Sequence, residues 1–195
     1  MLRKLLATVA LLACSVFTVH AATITLTPSP TNLTVGDSFT LHINIQGAVD
    51  LYAWQFDVNF APAGILDATA QAAGGFLGSG QFYVEGTVDN GLGTITAIAS
   101  TLFDDVPGVD DDGILASITF QAMFGGTATI TVANVTLLDS FLEGIFFDIG
   151  NASSAIVNVT GPGQDVPEPS GLALAGLALA LAIRSGRRGR ALSFA

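Results

Sequence analysis

Two runs of strict alternation constrain this chain more than anything else in it. Over residues 38–46, Phe39, Leu41, Ile43 and Ile45 alternate with Ser38, Thr40, His42, Asn44 and Gln46. Over residues 52–60 the even positions are Tyr52, Trp54, Phe56, Val58 and Phe60, and the odd ones are Ala53, Gln55, Asp57 and Asn59. A period of two sends successive side chains to opposite faces of a strand, so each run is a strand whose apolar face has to be buried. A slip of one residue would turn that whole face to solvent, which pins the register. The second run carries five large side chains on one face and marks the centre of the core.

The same reading places strands at 23–27, 81–88, 94–100, 114–122, 127–135, 145–149 and 154–160, nine in all. Asp89-Asn90-Gly91 and Phe124-Gly125-Gly126 supply residues that accept the positive φ of hairpins, and no central stretch has helical spacing with caps. Parallel strands need crossovers, for which there are no helices. The expected fold class is therefore all-β, a nine-stranded antiparallel jelly-roll β-sandwich over residues 22–160.

Charge narrows the function. The six basic residues sit at the two ends, Arg3 and Lys4 at one and Arg184, Arg187, Arg188 and Arg190 at the other, with none in residues 5–183. Of the 16 acidic residues, all but Asp165 and Glu168 lie between Asp37 and Asp148. A surface of that sign repels phosphates, which excludes nucleic acid and anionic membranes as partners. Divalent cations and neutral, hydroxyl-rich ligands stay compatible with it. His42 is the only histidine beyond the N-terminal segment, and the region has no Lys, Arg or Cys. Nucleophilic triads, Schiff bases and zinc clusters lack their parts. Asp57 and Glu85 are the conceivable carboxylate pair for glycoside hydrolysis, but strand-borne acids on a sandwich commonly face solvent. The expectation is binding without catalysis.

The ends read as addresses. Residues 1–21 have a basic start, an apolar run over 5–19 and small residues at Val19 and Ala21, a secretory signal cut between Ala21 and Ala22. That cut removes Cys14, the only cysteine, so the mature chain has no disulfide. A lipoprotein box ending at Cys14 is the weaker alternative, because Leu12 fits it poorly. At the other end a linker over 161–170 contains Val166, Pro167, Glu168 and Pro169, and is followed by an apolar stretch over 171–183 and a basic tail over 184–195. As a helix, residues 171–183 would rise about 20 Å against a hydrocarbon thickness of roughly 30 Å. That suits a short, transient transmembrane anchor with its arginines on the cytoplasmic side.

Val166-Pro167-Glu168-Pro169, the leucine-rich helix and the arginine cluster, in that order, resemble the PEP-CTERM sorting signal of Gram-negative bacteria. The resemblance implies an exosortase-type processing enzyme as partner, with the sorting motif as its recognition element. It also implies display at the cell surface or in an exopolysaccharide or biofilm matrix.

The central region is similar to cohesin domains in four pieces: residues 34–41, residues 51–66 with Phe60-Ala61-Pro62 and Ile65-Leu66, residues 112–120 and residues 126–130. This resemblance implies a jelly roll related to carbohydrate-binding modules, with a dockerin-like protein as partner. Ala61 stands where the family usually has Asp, and Ala53 and Gln55 stand where many dockerin-binding members present Asn and Asp.

Remaining candidates are local. Asp104, Asp105, Asp110, Asp111 and Asp112 fall within ten residues and could offer oxygens to calcium, although their spacing is not that of an EF-hand. A solvated acidic loop is the plainer reading. Tyr52, Trp54 and Phe56 could stack on sugars, but their shared parity with Val58 and Phe60 favours core. Tyr83, of opposite parity to Phe82 and Val84, is the expected exposed aromatic, and with Ala53, Gln55 and Asp57 it makes the candidate binding face. Asn32, Asn134, Asn151 and Asn158 begin sequons too short to exceed chance. Three functions follow from these readings: attachment of a protein partner, direct polysaccharide binding linked to polysaccharide catabolism, and a structural matrix role stabilised by calcium.

Overall fold

The two alternating runs become the adjoining strands from which both sheets are built. The computed structural model describes residues 21–148 and 154–161. Among them are β1 (Ala22–Ser29), β2 (Asn32–Thr34), β3 (Ser38–Leu51), β4 (Ala53–Ala61), β5 (Leu66–Ala73) and β6 (Phe82–Val84). The remainder are β7 (Thr87–Asp89), β8 (Thr94–Thr101), β9 (Val109–Ala122), β10 (Gly126–Leu138), β11 (Phe147–Asp148) and β12 (Ser154–Thr160). One sheet runs β11-β1-β3-β9-β5, and the other runs β2-β12-β10-β4-β8-β6 with β7 also paired to β8. The result is the expected all-β sandwich, which ends at Gly161.

The alternation is realised as burial. Phe39, Leu41, Ile43 and Ile45 of β3 face inward, as do Trp54, Phe56, Val58 and Phe60 of β4, while Tyr52 is half-buried. Phe120 of β9 joins the sheets: its ring meets Phe60 of β4 edge-on, centroids 5.2 Å apart, and stacks with Phe39 of β3 at 5.4 Å. Edge-on and offset contacts are the favoured aromatic geometries. Tyr52, Trp54 and Phe56 are thus structural, not a sugar-stacking platform.

Several details differ from the expectation for physical reasons. The pairs β1–β11 and β2–β12 are parallel. Each joins an early strand to a late one, so the intervening domain is itself the crossover and no helix is needed. Strand β3 continues beyond Gln46 to Leu51 through register shifts against β9, with positive φ at Gly47 and Asp50. Asp112 and Asp110 make this workable by accepting the Gly47 and Asp50 N–H groups at 2.6 and 2.7 Å.

Strand β5 has no sequence signal, because alanine-rich Leu66–Ala73 carries little apolar contrast. It is held by antiparallel pairing with β9, to which side chains add: Asn90 accepts from Ala68 N at 2.9 Å, and Gln71 makes two 2.9 Å bonds to Gly86. The expected single strand over 81–88 breaks at Gly86, where a Cβ would lie 2.7 Å from the Thr96 carbonyl oxygen. In the following turn the positive φ is at Gly93 rather than at Asn90 or Gly91.

The signal helix, the linker beyond Gly161, the apolar helix with Val166, Pro167, Glu168 and Pro169, the basic tail, and Asn151 lie outside the described residues. Among the described residues no helix is long and apolar enough to cross a membrane.

Truncating Phe120 to Ala would remove both contacts of the fully buried ring. We expect the variant to lose about 3–5 kcal/mol of unfolding free energy in a urea titration. A loss below about 1 kcal/mol would show that the Phe120 ring contacts are not the keystone.

Candidate functional site

Outward-facing residues of the second sheet follow from register. Across β10, β4, β8 and β6 one row reads Leu138, Ala53, Thr101 and Phe82, and the next reads Thr136, Gln55, Ala99 and Val84. The alanines lie on the two central strands and the bulky side chains Phe82, Val84 and Leu138 on the outer two. Small residues between large ones make a trough, and a depression of about 230 Å³ lies there, lined by these eight residues with Trp54 and Ser100. Phe82 is 51% exposed and Phe103 54%, and their rings meet at 5.5 Å, tilted by 54°.

Asp57 shapes the floor beyond the trough. Its carboxylate accepts the Ala97 N–H at 2.7 Å and the Asn134 side-chain N–H at 2.6 Å, bracing β4 to both neighbours. Both partners have positive φ, 60° at Ala97 and 50° at Asn134, and each lies within a register shift against β4. Bulges of this kind bend a sheet and re-aim its side chains. Asp57 is therefore engaged as a brace, and Glu85 is an exposed residue at the β6 edge.

The candidate binding face is corrected at one position. Ala53, Gln55 and Asp57 face outward as expected, but Tyr83 turns inward and packs beside Trp54 at 6.2 Å. The parity assigned to β6 was right and the faces were reversed, because the apolar outer edge belongs to Phe82 and Val84. Burial first, and then the negative Glu85, push the Tyr83 hydroxyl up to about 12. The Tyr83 hydroxyl and the Trp54 indole N–H are buried without a hydrogen-bond partner. Missed from the sequence were Phe82, Val84, Ala99, Thr101, Thr136 and Leu138. Their signal lay in cross-strand pairing, which a linear pattern does not carry.

The calcium candidates do not converge. Among the described residues no group of three or more His, Cys, Asp or Glu side chains is placed to hold a metal. Asp110 and Asp112 point at backbone N–H groups of β3, and Asp111 bonds the Asp112 N–H at 2.9 Å. The organising carboxylate there is Asp50, which accepts from Gly108 N at 2.7 Å and from the Ser140 hydroxyl at 2.7 Å. The Ser140 hydroxyl foremost, with the Gly108 and Ser140 N–H groups, holds the Asp50 carboxyl below its usual range. Asp37 is held low in the same way by the backbone and then the side chain of Thr34. His42 bonds Ser117 at 2.9 Å on the outer face of the other sheet, and Tyr52 donates to the Asp104 carbonyl at 2.8 Å.

The described residues thus form an all-β sandwich with a recessed, largely apolar depression on the outer face of one sheet. Residues 24–142 match the family model for the cohesin domain, and residues 165–188 match the PEP-CTERM protein-sorting motif. The chain belongs to the cohesin-domain family and carries a PEP-CTERM sorting motif. A type II cohesin domain from the cellulosome of Acetivibrio cellulolyticus superposes with a TM-score of 0.61 at 18% identity, covering 71% of this chain and 96% of that one. A non-cellulosomal cohesin from Archaeoglobus fulgidus gives 0.57 at 11%, covering 75% and 96%. The cohesin of a type I cohesin–dockerin complex from Clostridium thermocellum gives 0.56 at 11%, covering 72% and 100%. At these identities the likeness is one of fold. No curated protein matches the chain.

The lowered Asp50 and Asp37 groups set a pH dependence. A carboxyl whose folded pKa is depressed contributes stability that is present above its unfolded pKa and lost as pH falls through the folded value. We expect Tm to fall as pH drops from about 5 toward about 2, with a smaller fall in Ser140→Ala, which lacks the main bond to Asp50. Identical acid limbs for the two proteins in a thermal scan would contradict this role of Asp50.

Proposed function

We propose that this protein is a non-catalytic, exported attachment module whose β10-β4-β8-β6 face captures a dockerin-like protein partner. The observation that supports the reading most directly is the apolar trough at the centre of that face. Small floor residues flanked by Phe82, Val84 and Leu138 leave room for a protruding side chain of a partner, the geometry in which interface anchors gain most of their energy. The cohesin of the Clostridium thermocellum complex, which shares the fold, is itself bound to a dockerin.

The ends decide where the module is displayed. Cleavage between Ala21 and Ala22 would start the mature chain on the first residue of β1, leaving the sandwich whole. The PEP-CTERM motif directs exosortase-type processing at the inner membrane of a Gram-negative bacterium, followed by release to the cell surface or the exopolysaccharide matrix. Residues 161–170 act as the linker, 171–183 as the transient anchor and 184–195 as the cytoplasmic tail, with Val166, Pro167, Glu168 and Pro169 recognised by the processing enzyme.

Direct polysaccharide binding is the second reading, and the tilt between Phe82 and Phe103 weighs against it. Rings at 54° present no flat platform to a sugar chain.

Filling the trough tests the attachment reading without changing charge. The double variant Ala53→Gln, Ala99→Gln places two long side chains on its floor. We expect at least about a tenfold loss of dockerin affinity in calorimetry, with Tm within a few degrees of the parent. Unchanged affinity would remove the trough from the interface. Processing is checked separately: mass spectrometry of the exported protein should find Ala22 as the first residue in the parent, and an unprocessed tail in Glu168→Ala.

A further inference from the structure

We propose that β6 is a strand with two registers and that its register opens or closes the trough. This rests on the attachment reading and concerns the regulation of the same site. In this structure Phe82, Tyr83 and Val84 oppose Thr101, Ser100 and Ala99 of β8. That pairing sends Tyr83 inward, 6.2 Å from Trp54, and leaves Phe82 and Val84 exposed. The Tyr83 hydroxyl is buried without a hydrogen-bond partner, and the adjoining Trp54 indole N–H, equally unpartnered, does not answer it. Burying a hydroxyl without a partner is unfavourable, and so is leaving large apolar side chains in water. This three-residue strand carries both penalties at once.

Sliding β6 forward by one residue exchanges its faces and removes both. Phe82 then opposes the buried Ser100, and Val84 opposes the buried Ile98. Phe82 carries the ring of Tyr83 without the hydroxyl, so it fits beside Trp54 with no polar atom to satisfy. Tyr83 turns outward opposite Ala99, its hydroxyl in solvent. The flanking chain accommodates the slide. Gly78 and Gly80 have open space where a Cβ would stand, and they supply the slack. On the far side Gly86 is fixed by both Gln71 bonds and Thr87 is paired with Thr96, so the extra residue is taken up as a bulge at Glu85 and Gly86. The present register is held by Phe82 resting on Phe103 and by Gln81, which bonds the Gly74 carbonyl at 2.7 Å and the Ser100 hydroxyl at 3.0 Å. The two arrangements exchange a few contacts for a few others, the condition under which both are populated. Only one of them has a trough. Phe82 and Val84 are its wall in the present register, and in the other they leave the outer face while Tyr83 stands over the floor at Ala99. A partner side chain seated in the trough binds the first register alone, so its affinity scales with the fraction of molecules that hold that register.

The test uses the full chain in detergent micelles. NMR relaxation dispersion should detect exchange at the amides of residues 82–84 with a minor state of about 0.1–10%. The exchange should disappear in Tyr83→Phe, whose inward ring has no hydroxyl to strand. Tyr83→Gln puts a side chain at that position that belongs in solvent. We expect it to fold, to show the Phe82 ring against Trp54 instead of Phe103 in NOE spectra, and to bind a purified dockerin module at least about tenfold more weakly. Flat dispersion profiles in the parent would overturn the proposal even if Tyr83→Gln failed to fold. So would a folded Tyr83→Gln protein in which Phe82 stays on Phe103 or β6 leaves β8. A parent that binds no dockerin would sink the attachment reading, while the spectra would still decide the register.

Discussion

Phe120 touches Phe39 on its own sheet and Phe60 on the facing one, and the rest of the structure depends on that contact. A sheet with one apolar face is stable only when another layer covers it. The strands bearing these rings, β3, β9 and β4, are among the longest in the domain, and their burial aligns the shorter strands around them. With Cys14 the only cysteine in the sequence, no disulfide within the chain is available, and this packing carries the stability. Among the described residues, charge contributes through a few carboxylates bonded to backbone N–H groups, as at Asp50, Asp110 and Asp112.

The outer face is a consequence of the inner one. Once Trp54, Phe56, Val58 and Phe60 point into the core, Ala53, Gln55 and Asp57 are forced outward. The outer strands then supply bulk beside small residues, and a trough appears without a dedicated loop. Asp57 adds shape by bracing two bulges at non-glycine residues of positive φ. Backbone irregularity of that kind persists only where surrounding bonds over-determine it, and it collects at surfaces that have to hold a particular form.

Legibility in the sequence followed the strength of the local signal. Strands β3 and β4 were readable because long apolar and polar side chains alternate without a break, and their inward faces came out correctly. Strand β5 was invisible because alanine is compatible with either face; it forms by pairing with the distant β9, and Asn90 and Gln71 add side-chain hydrogen bonds to that pairing. Tyr83 was misassigned because Phe82 and Val84, the more apolar pair, would ordinarily claim the inside. Cross-strand register with β8 sets the faces instead, pairing Tyr83 with the buried Ser100 and Phe82 and Val84 with Thr101 and Ala99. Of the aspartates in residues 104–112 that could have served as ligands for an ion, Asp110 and Asp112 direct their oxygens instead at the N–H groups of a bulged strand sixty or so residues away in the chain.

The sequence by itself determined the class of fold, the sign of the surface, the absence of the usual catalytic groups from the central region and the C-terminal sorting motif. Each of these depends on residue type or on neighbours within a few positions, where sterics and hydrophobicity act locally. Only the tertiary structure decided which residues share the trough, which way Tyr83 turns and what the acidic loop is bonded to. These depend on cross-strand register between segments tens of residues apart, and register follows from the packing of the whole core.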